Sequence, residues 1–371
     1  MIFEKIQHIL PEFRFVGCYE TGEELRAGNI NNTYHLIYRQ DDGSVNHYTL
    51  QQINSYAFKQ PAVVMRNIEL VTTHLRNKMI ENGVDPYRRM LQLVRTQDDK
   101  VMLETNGSFW RAYCYVDRAT AHDRAIKPEY FFEAGRGFGE FQRLLSDFPA
   151  EQLGDTIPNF HNTRRRFETF LTAVKEDKAG RVKDLKAEID FVLEREEMMS
   201  AIVSRIAAGT LPLRVTHNDT KINNILIDDE PEKAICVIDL DTVMSGSALY
   251  DYGDAIRFGA NTTAEDDPDT SKISLDLNLF ELFTRGFLSE ACNILTDEEI
   301  RLLPLGAMLM TCELVVRFLT DYIDGDLYFK VRYPEHNIVR TRAQMKLLTD
   351  IEAKYEQMNE IVARISAEFK K

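Results

Sequence analysis

The chain has 371 residues, a net charge of −14, 44% apolar and 28% charged content. At about 100–200 residues per domain this length gives two domains or one two-lobed unit, large enough to bury a core without staples. The acidic balance argues against binding to duplex nucleic acid and disfavours an anionic lipid surface, both of which need a field of Lys and Arg. A single nucleotide remains compatible, because a local pocket and a divalent cation can neutralise its phosphates.

Taken in chain order, Ile2, Phe3, Ile6, Ile9 and Leu10 follow helical spacing until Pro11 stops the run. Glu4 and Lys5 interrupt that short apolar stretch, so it does not read as a secretory signal. Residues 32–38 and 48–53 are rich in β-formers and flank the Gly-containing turn QDDGS, which predicts an antiparallel hairpin. Pro61 opens a helix in which Val64, Ile68, Val71, Leu75 and Met79 share one face. Two further β-like stretches follow at 101–104 and 109–116.

Beyond Asp117 the pattern is helical over about 128–147, 163–176, 185–208, 276–291, 297–324 and 338–369. Short strands at RVT, NILI and AICVIDL interrupt it within 213–240. The expectation is an α+β chain of two lobes around a cleft. A β-rich lobe over 1–117 holds an antiparallel sheet and one helix, and a larger, mainly helical lobe covers 118–371. The apolar segment 302–319 contains Glu313 and Arg317, so no membrane span is expected. The five cysteines are scattered without a C-x-x-C pair, which predicts reduced thiols and a cytoplasmic setting.

The densest polar constellation is THNDTKINNILI at 216–227, followed by VIDLD at 237–241. Phosphoryl transfer from Mg-ATP needs a carboxylate to orient the attacking hydroxyl and hard oxygen ligands to hold Mg²⁺ on the phosphates. An H-x-D-x-x-x-x-N loop followed by a strand ending in Asp supplies both. Asp219 then acts as base, while Asn224 and Asp239 hold the metal. The bland alternative makes HND and NN mere turn residues between strands. His217 reads as a group that orients the loop, and no zinc spacing is present.

Competing motifs carry less. No G-x-x-x-x-G-K-[ST] or G-x-S-x-G is present. GRGFG at 135–139 lies inside a helical pattern between aromatic residues and predicts close helix packing. Asp239-Leu240-Asp241 could form a glycosyltransferase D-x-D, but that reading leaves the Asp219/Asn224 loop unexplained.

These residues resemble the protein-kinase-like superfamily, in its small-molecule branch with aminoglycoside and choline phosphotransferases. H-R-D, D-F-G and A-P-E are missing, which disfavours a protein substrate. The segments NINNTYHL (29–36), LQQIN (50–54), VMRNIELVT (64–72), LRVTHNDTKINNIL (213–226), IDLDTVMSGS (238–247) and DYGDAIRFGA (251–260) closely resemble the bacterial N-acetylhexosamine 1-kinase family. So does the stretch from RFLTDYIDGDLYF to YPEHNIVRTR (317–342). The resemblance implies a two-lobed protein-kinase-like fold and transfer of phosphate from ATP, with Mg²⁺, to the anomeric hydroxyl of N-acetylglucosamine or N-acetylgalactosamine.

Carried onto this sequence, the resemblance makes Asp219 the base facing the anomeric oxygen. Asp239 and Asn224 become the metal ligands, with nucleotide contacts. Asn29, Phe258, Arg317 and Tyr328 resemble sugar-pocket positions. Core packing is the alternative for Phe258 and Tyr328, and a structural ion pair for Arg317. Asn29 stands where the relative carries His. Gln51 and Gln52 occupy the strand position where many kinases place the ATP-binding Lys, and Glu69 would ordinarily pair with that Lys. Two other functions stay open at this point: a kinase of an amino alcohol or aminoglycoside, and a non-catalytic nucleotide-binding module. The acidic DDPD at 266–269 suits a cationic acceptor or a solvated loop equally well.

Overall fold

The structure is a computed structural model that describes residues 2–25 and 30–370. The chain forms two compact units. The first comprises Met1–Thr120, Glu151–Pro158 and Leu226–Met244, and the second Ala121–Ala150, Asn159–Ile225 and Ser245–Lys371.

The first unit opens with a short helix, α1 (Ile2–Ile6), followed by strands β1 (Cys18–Leu25), β2 (Asn32–Arg39) and β3 (Val45–Ile53). Helix α2 (Pro61–Glu81) leads to β4 (Leu93–Val94), β5 (Leu103–Thr105) and β6 (Ser108–Cys114). Every pairing in this sheet is antiparallel, in the order β1-β2-β3-β6-β4, with β5 also on β6. Alternation puts Tyr34, Leu36 and Tyr38 of β2 on the same buried face as Tyr48 and Leu50 of β3, where Ile6, Ile9 and Phe13 cover them. The hairpin and α2 lie where the sequence predicts them. α2 starts with proline in its first turn and buries Val64, Ile68, Val71, Leu75 and Met79.

One expectation in this unit is corrected and one strand was missed. The N-terminal helix is only five residues long, and Pro11 sits in a separate 3₁₀ turn at Leu10–Glu12. β1 escapes the sequence pattern because it is an edge strand carrying Glu20, Glu23 and Glu24, with little of it buried. Charge on an edge strand blocks further pairing without preventing the strand itself.

The second unit is helical: α3 (Pro128–Leu144), α4 (Thr163–Glu176), α5 (Lys186–Leu193), α6 (Glu196–Ala207), α7 (Ala248–Gly259), α8 (Leu277–Ala291), α9 (Asp297–Arg301), α10 (Leu303–Asp324), α11 (His336–Ala353) and α12 (Tyr355–Phe369). Three stretches expected as single helices are each broken in two. Pro304, in the first turn of α10, marks one break. At another, Lys354 caps α11 while its ammonium reaches Asp350, Ser274 Oγ and the Leu275 carbonyl. α10 is long and apolar enough to cross a membrane by length and composition, yet most of it is buried inside this unit.

GRGFG is a packing device, as its setting predicts. A Cβ on Gly135 would lie 2.3 Å from the Phe283 carbonyl oxygen, and one on Gly139 would lie 2.5 Å from that of Phe287. α3 and α8 therefore approach backbone to backbone. Gly135→Ala should lower stability by about 1–3 kcal/mol, as overpacking does. Urea unfolding checks this, and an unchanged midpoint would contradict the contact.

Candidate active site

In the second unit the strand Arg214–Thr216 delivers the chain into the HND loop. Asn218 adopts φ +65°, a left-handed conformation that asparagine tolerates better than most residues. Asp251, one turn into α7, fixes this bend. Its carboxylate accepts the His217 and Asn218 amides at 2.9 and 2.8 Å and the Gln142 side chain at 2.9 Å. Burial pushes the Asp251 carboxyl up, against the pull of the donors around it. Thr220 Oγ1 donates to the Asp251 carbonyl at 2.5 Å. His217 is buried and its Nδ1 accepts the Asp219 amide at 3.3 Å, so it holds the loop backbone.

The Asp219 carboxylate emerges with two partners. Asn224 Nδ2 donates to Asp219 Oδ2 at 2.9 Å and to the Asp219 carbonyl at 2.8 Å. Lys221 Nζ lies 2.7 Å from Asp219 Oδ1. Burial alone would raise the Asp219 carboxyl, but the Lys221 ammonium, with help from Asn224, holds it below the ordinary range. Lys221 is in turn pushed up, chiefly by Asp219 and further by Asp254 and Glu265. The sequence reading missed Lys221, although its place two residues after Asp219 was visible.

Asp239 belongs to the first unit, at the end of the strand Ala234–Val237 and its short extension. It is exposed and left-handed, with φ 60° and ψ 58°, and it caps the single 3₁₀ turn Leu240–Thr242. Asp241 in that turn is buried against Arg111 of β6. On β3, Gln51 accepts from Arg111 Nε at 2.9 Å and donates to Thr33 Oγ1 at 3.0 Å. Gln52 points to the opposite face, where it bonds Asn32 and Ser108. Glu69 pairs instead with Arg95 at 2.7 Å near the surface.

Of the four remaining residues singled out in the sequence, Arg317 and Tyr328 come together. The Arg317 guanidinium lies 5.8 Å from the Tyr328 ring, 5.2 Å from Phe160 and 5.4 Å from Phe329. Its Nη1 also donates to Glu313 Oε1 at 3.4 Å, so an ion pair and an aromatic setting coexist. Tyr328 is 59% exposed, which removes the core-packing alternative. Asp321 orders the backbone there by accepting the amides of Leu327, Tyr328 and Phe329. Phe258, half-buried at the end of α7, has Lys221 Nζ 5.9 Å from its ring centre. Asn29 lies outside the described residues.

A chain of contacts joins this cluster to the loop. The Asn218 carbonyl is 3.3 Å from His161 Nε2, and His161 Nδ1 is 3.0 Å from Glu313 Oε2. Glu313 is fully buried, which would raise its carboxyl, yet His161, Arg317 and Arg166 hold it low.

An antiparallel sheet with one long helix, a mainly helical remainder and this aspartate loop define a kinase-like phosphotransferase fold. A sequence profile described as the phosphotransferase enzyme family matches residues 21–274, more than half of the chain, and the chain belongs to that family. A microcompartment-associated aminopropanol kinase is similar in structure at 17% identity, over 96% of this chain and 98% of that one, with a TM-score of 0.62. An amicoumacin kinase solved with AMP-PNP and Ca²⁺ matches at 13% identity over 97% and 93%, TM-score 0.55. An ethanolamine kinase of Plasmodium vivax matches at 14% over 87% and 82%, TM-score 0.53. At these identities the likeness shows the fold.

Proposed function

We propose that this protein transfers the γ-phosphoryl group of ATP to the anomeric hydroxyl of a free N-acetylhexosamine. The observation that carries the kinase reading is the Asp219 carboxylate, held ionised by Lys221 and oriented by Asn224. An ionised carboxylate in that setting accepts a hydrogen bond from an acceptor hydroxyl and takes its proton as the O–P bond forms.

Asn224 and Asp239 are assigned to Mg²⁺, each by the oxygen it offers within its own unit. Asn224 engages Asp219 through Nδ2, so Oδ1 is the atom it would offer a metal. The neighbouring Asn223 Oδ1 is buried without a hydrogen-bond partner. Asp239 offers a carboxylate. These are hard oxygens of the kind Mg²⁺ prefers, and Mg²⁺ usually takes one or two protein carboxylates plus phosphates. When bound, the metal neutralises charge on the phosphates. Residues 1–117, with Gln51 and Gln52 on β3, are assigned to the nucleotide, and 118–371 to the catalytic loop and acceptor. Arg317, Tyr328, Phe258 and Asn29 are assigned to the sugar: hydrogen bonds to hydroxyls, and ring faces for its apolar side.

The named acceptors of two fold neighbours, aminopropanol and ethanolamine, carry an amine. A cationic acceptor calls for a carboxylate to receive it. Around the loop Asp254 and Glu265 share Arg257, at 2.8 and 2.5 Å, and Asp266 lies 2.9 Å from His336. Glu313 is surrounded by Arg317, Arg166 and His161. The cations around Glu313 suit a neutral acceptor beside Arg317 and Tyr328 better than an amine. ATP consumption with N-acetylglucosamine, N-acetylgalactosamine, ethanolamine, 1-amino-2-propanol and an aminoglycoside tests the reading. Turnover on the acetamido sugars is expected. Turnover on the amines alone would overturn the acceptor, and no turnover on any would overturn the kinase.

A further inference from the structure

The strand position that holds a lysine in many kinases holds Gln51 here, and the helix glutamate Glu69 is paired elsewhere. A buried cation nevertheless stands beside Gln51. Arg111 is its register partner across β3 and β6, and is 1% exposed. Nη1 bonds Asp241 Oδ1, Nε bonds Gln51 Oε1, and the guanidinium lies 5.3 Å from the Tyr113 ring centre. The second oxygen of Asp241 accepts Asn31 Nδ2 at 2.7 Å, and Asn31 Oδ1 accepts the Asn54 amide at 2.9 Å. Asp241 is therefore clamped from β6 on one side and from the segment leading into β2 on the other.

Asp241 is two residues beyond Asp239, inside the single turn that Asp239 begins. The far end of that turn is tied down as well, because the buried Asn67 of α2 donates to the Val243 carbonyl at 2.9 Å and to the Gly154 carbonyl at 2.7 Å. A left-handed backbone is tolerated by aspartate better than by most residues, and a fixed turn keeps it in place. The turn that Asp239 begins is thus anchored at Asp241 and at Val243.

We propose that Arg111 is the positioning residue for Asp239: a buried guanidinium that, through Asp241, fixes the turn presenting the metal-binding carboxylate. The charge in the sheet then acts on the metal ligand through the turn. The inference rests on Asp239 being a metal ligand, and the test separates the two.

ADP binding is titrated calorimetrically in Mg²⁺ and in EDTA for the wild type and for the variants Asp239→Ala, Arg111→Met and Arg111→Met/Asp241→Leu. The double variant removes both buried charges together, which avoids the cost of leaving one unpaired. In Arg111→Met and in the double variant, the gain in ADP affinity from Mg²⁺, read as the ratio of the affinities in Mg²⁺ and in EDTA, should fall about 10–100-fold, the usual cost of losing an outer-shell partner, whatever the loss of the Gln51 bond does to the affinity in EDTA. A purely structural pair would leave the gain intact in a folded double variant. If Asp239→Ala loses the Mg²⁺ gain and the double variant keeps it, the positioning role is overturned and the metal ligand stands. If Asp239→Ala keeps the gain, the metal assignment falls and the inference with it.

Discussion

Asp219→Asn is expected to lower kcat by about 10²–10⁴-fold, the range that a positioned general base contributes. The melting temperature and ADP affinity should stay close to wild type. The backbone bend that carries residue 219 is held by Asp251 through the His217 and Asn218 amides, and none of those bonds involves the substituted carboxylate. Asparagine keeps the size and an oxygen but cannot accept the proton of an acceptor hydroxyl. Near-wild-type turnover in steady-state assays would remove Asp219 from the chemistry.

Lys221→Met should move the acidic limb of the kcat/KM profile to higher pH. Two opposing influences set the Asp219 carboxyl: burial raises it, and the Lys221 ammonium outweighs that and brings it below the ordinary range. Without the ammonium, burial acts against the remaining hydrogen bonds, so the carboxyl rises and protonates earlier as pH falls. The base is then lost at a pH where the wild type still carries it ionised. Lys221 also balances Asp254 and Glu265, so a fall in turnover at all pH values should accompany the shift. An unmoved limb would mean that another group keeps Asp219 ionised.

The sequence showed those parts of the fold whose polarity follows their geometry. β2 and β3 were legible because β-formers alternate around a glycine turn, and α2 because its apolar residues recur on one face. α7 was not. Its buried residues include Asp251, Asp254 and Arg257, polar groups satisfied by partners that lie apart in sequence or within the helix itself. Periodicity of apolar residues cannot mark a helix whose buried face is partly ionic.

The candidate site divides in the same way. Asp219 and Asn224 could be read together because five residues of sequence separate a base from the amide that orients it. Arg317 and Tyr328 were nominated by resemblance, and their proximity is a tertiary fact. Arg111 and Asp241 are 130 residues apart, and neither position looks unusual alone. Gln51 was recognised as a departure from the common kinase pattern, but the arginine beside it emerges only from the register of β3 on β6.

The central claim is transfer to the anomeric oxygen, and phosphorus NMR of the product reports it directly. With ATP and Mg²⁺, a reducing N-acetylhexosamine should yield a resonance split by the anomeric proton, while its methyl glycoside, in which that oxygen is blocked, should give none. Plain glucose should react more slowly if the acetamido group is recognised, since a site built to bond a group rejects analogues lacking it. A 6-phosphate, or equal turnover of the methyl glycoside, would contradict the anomeric assignment.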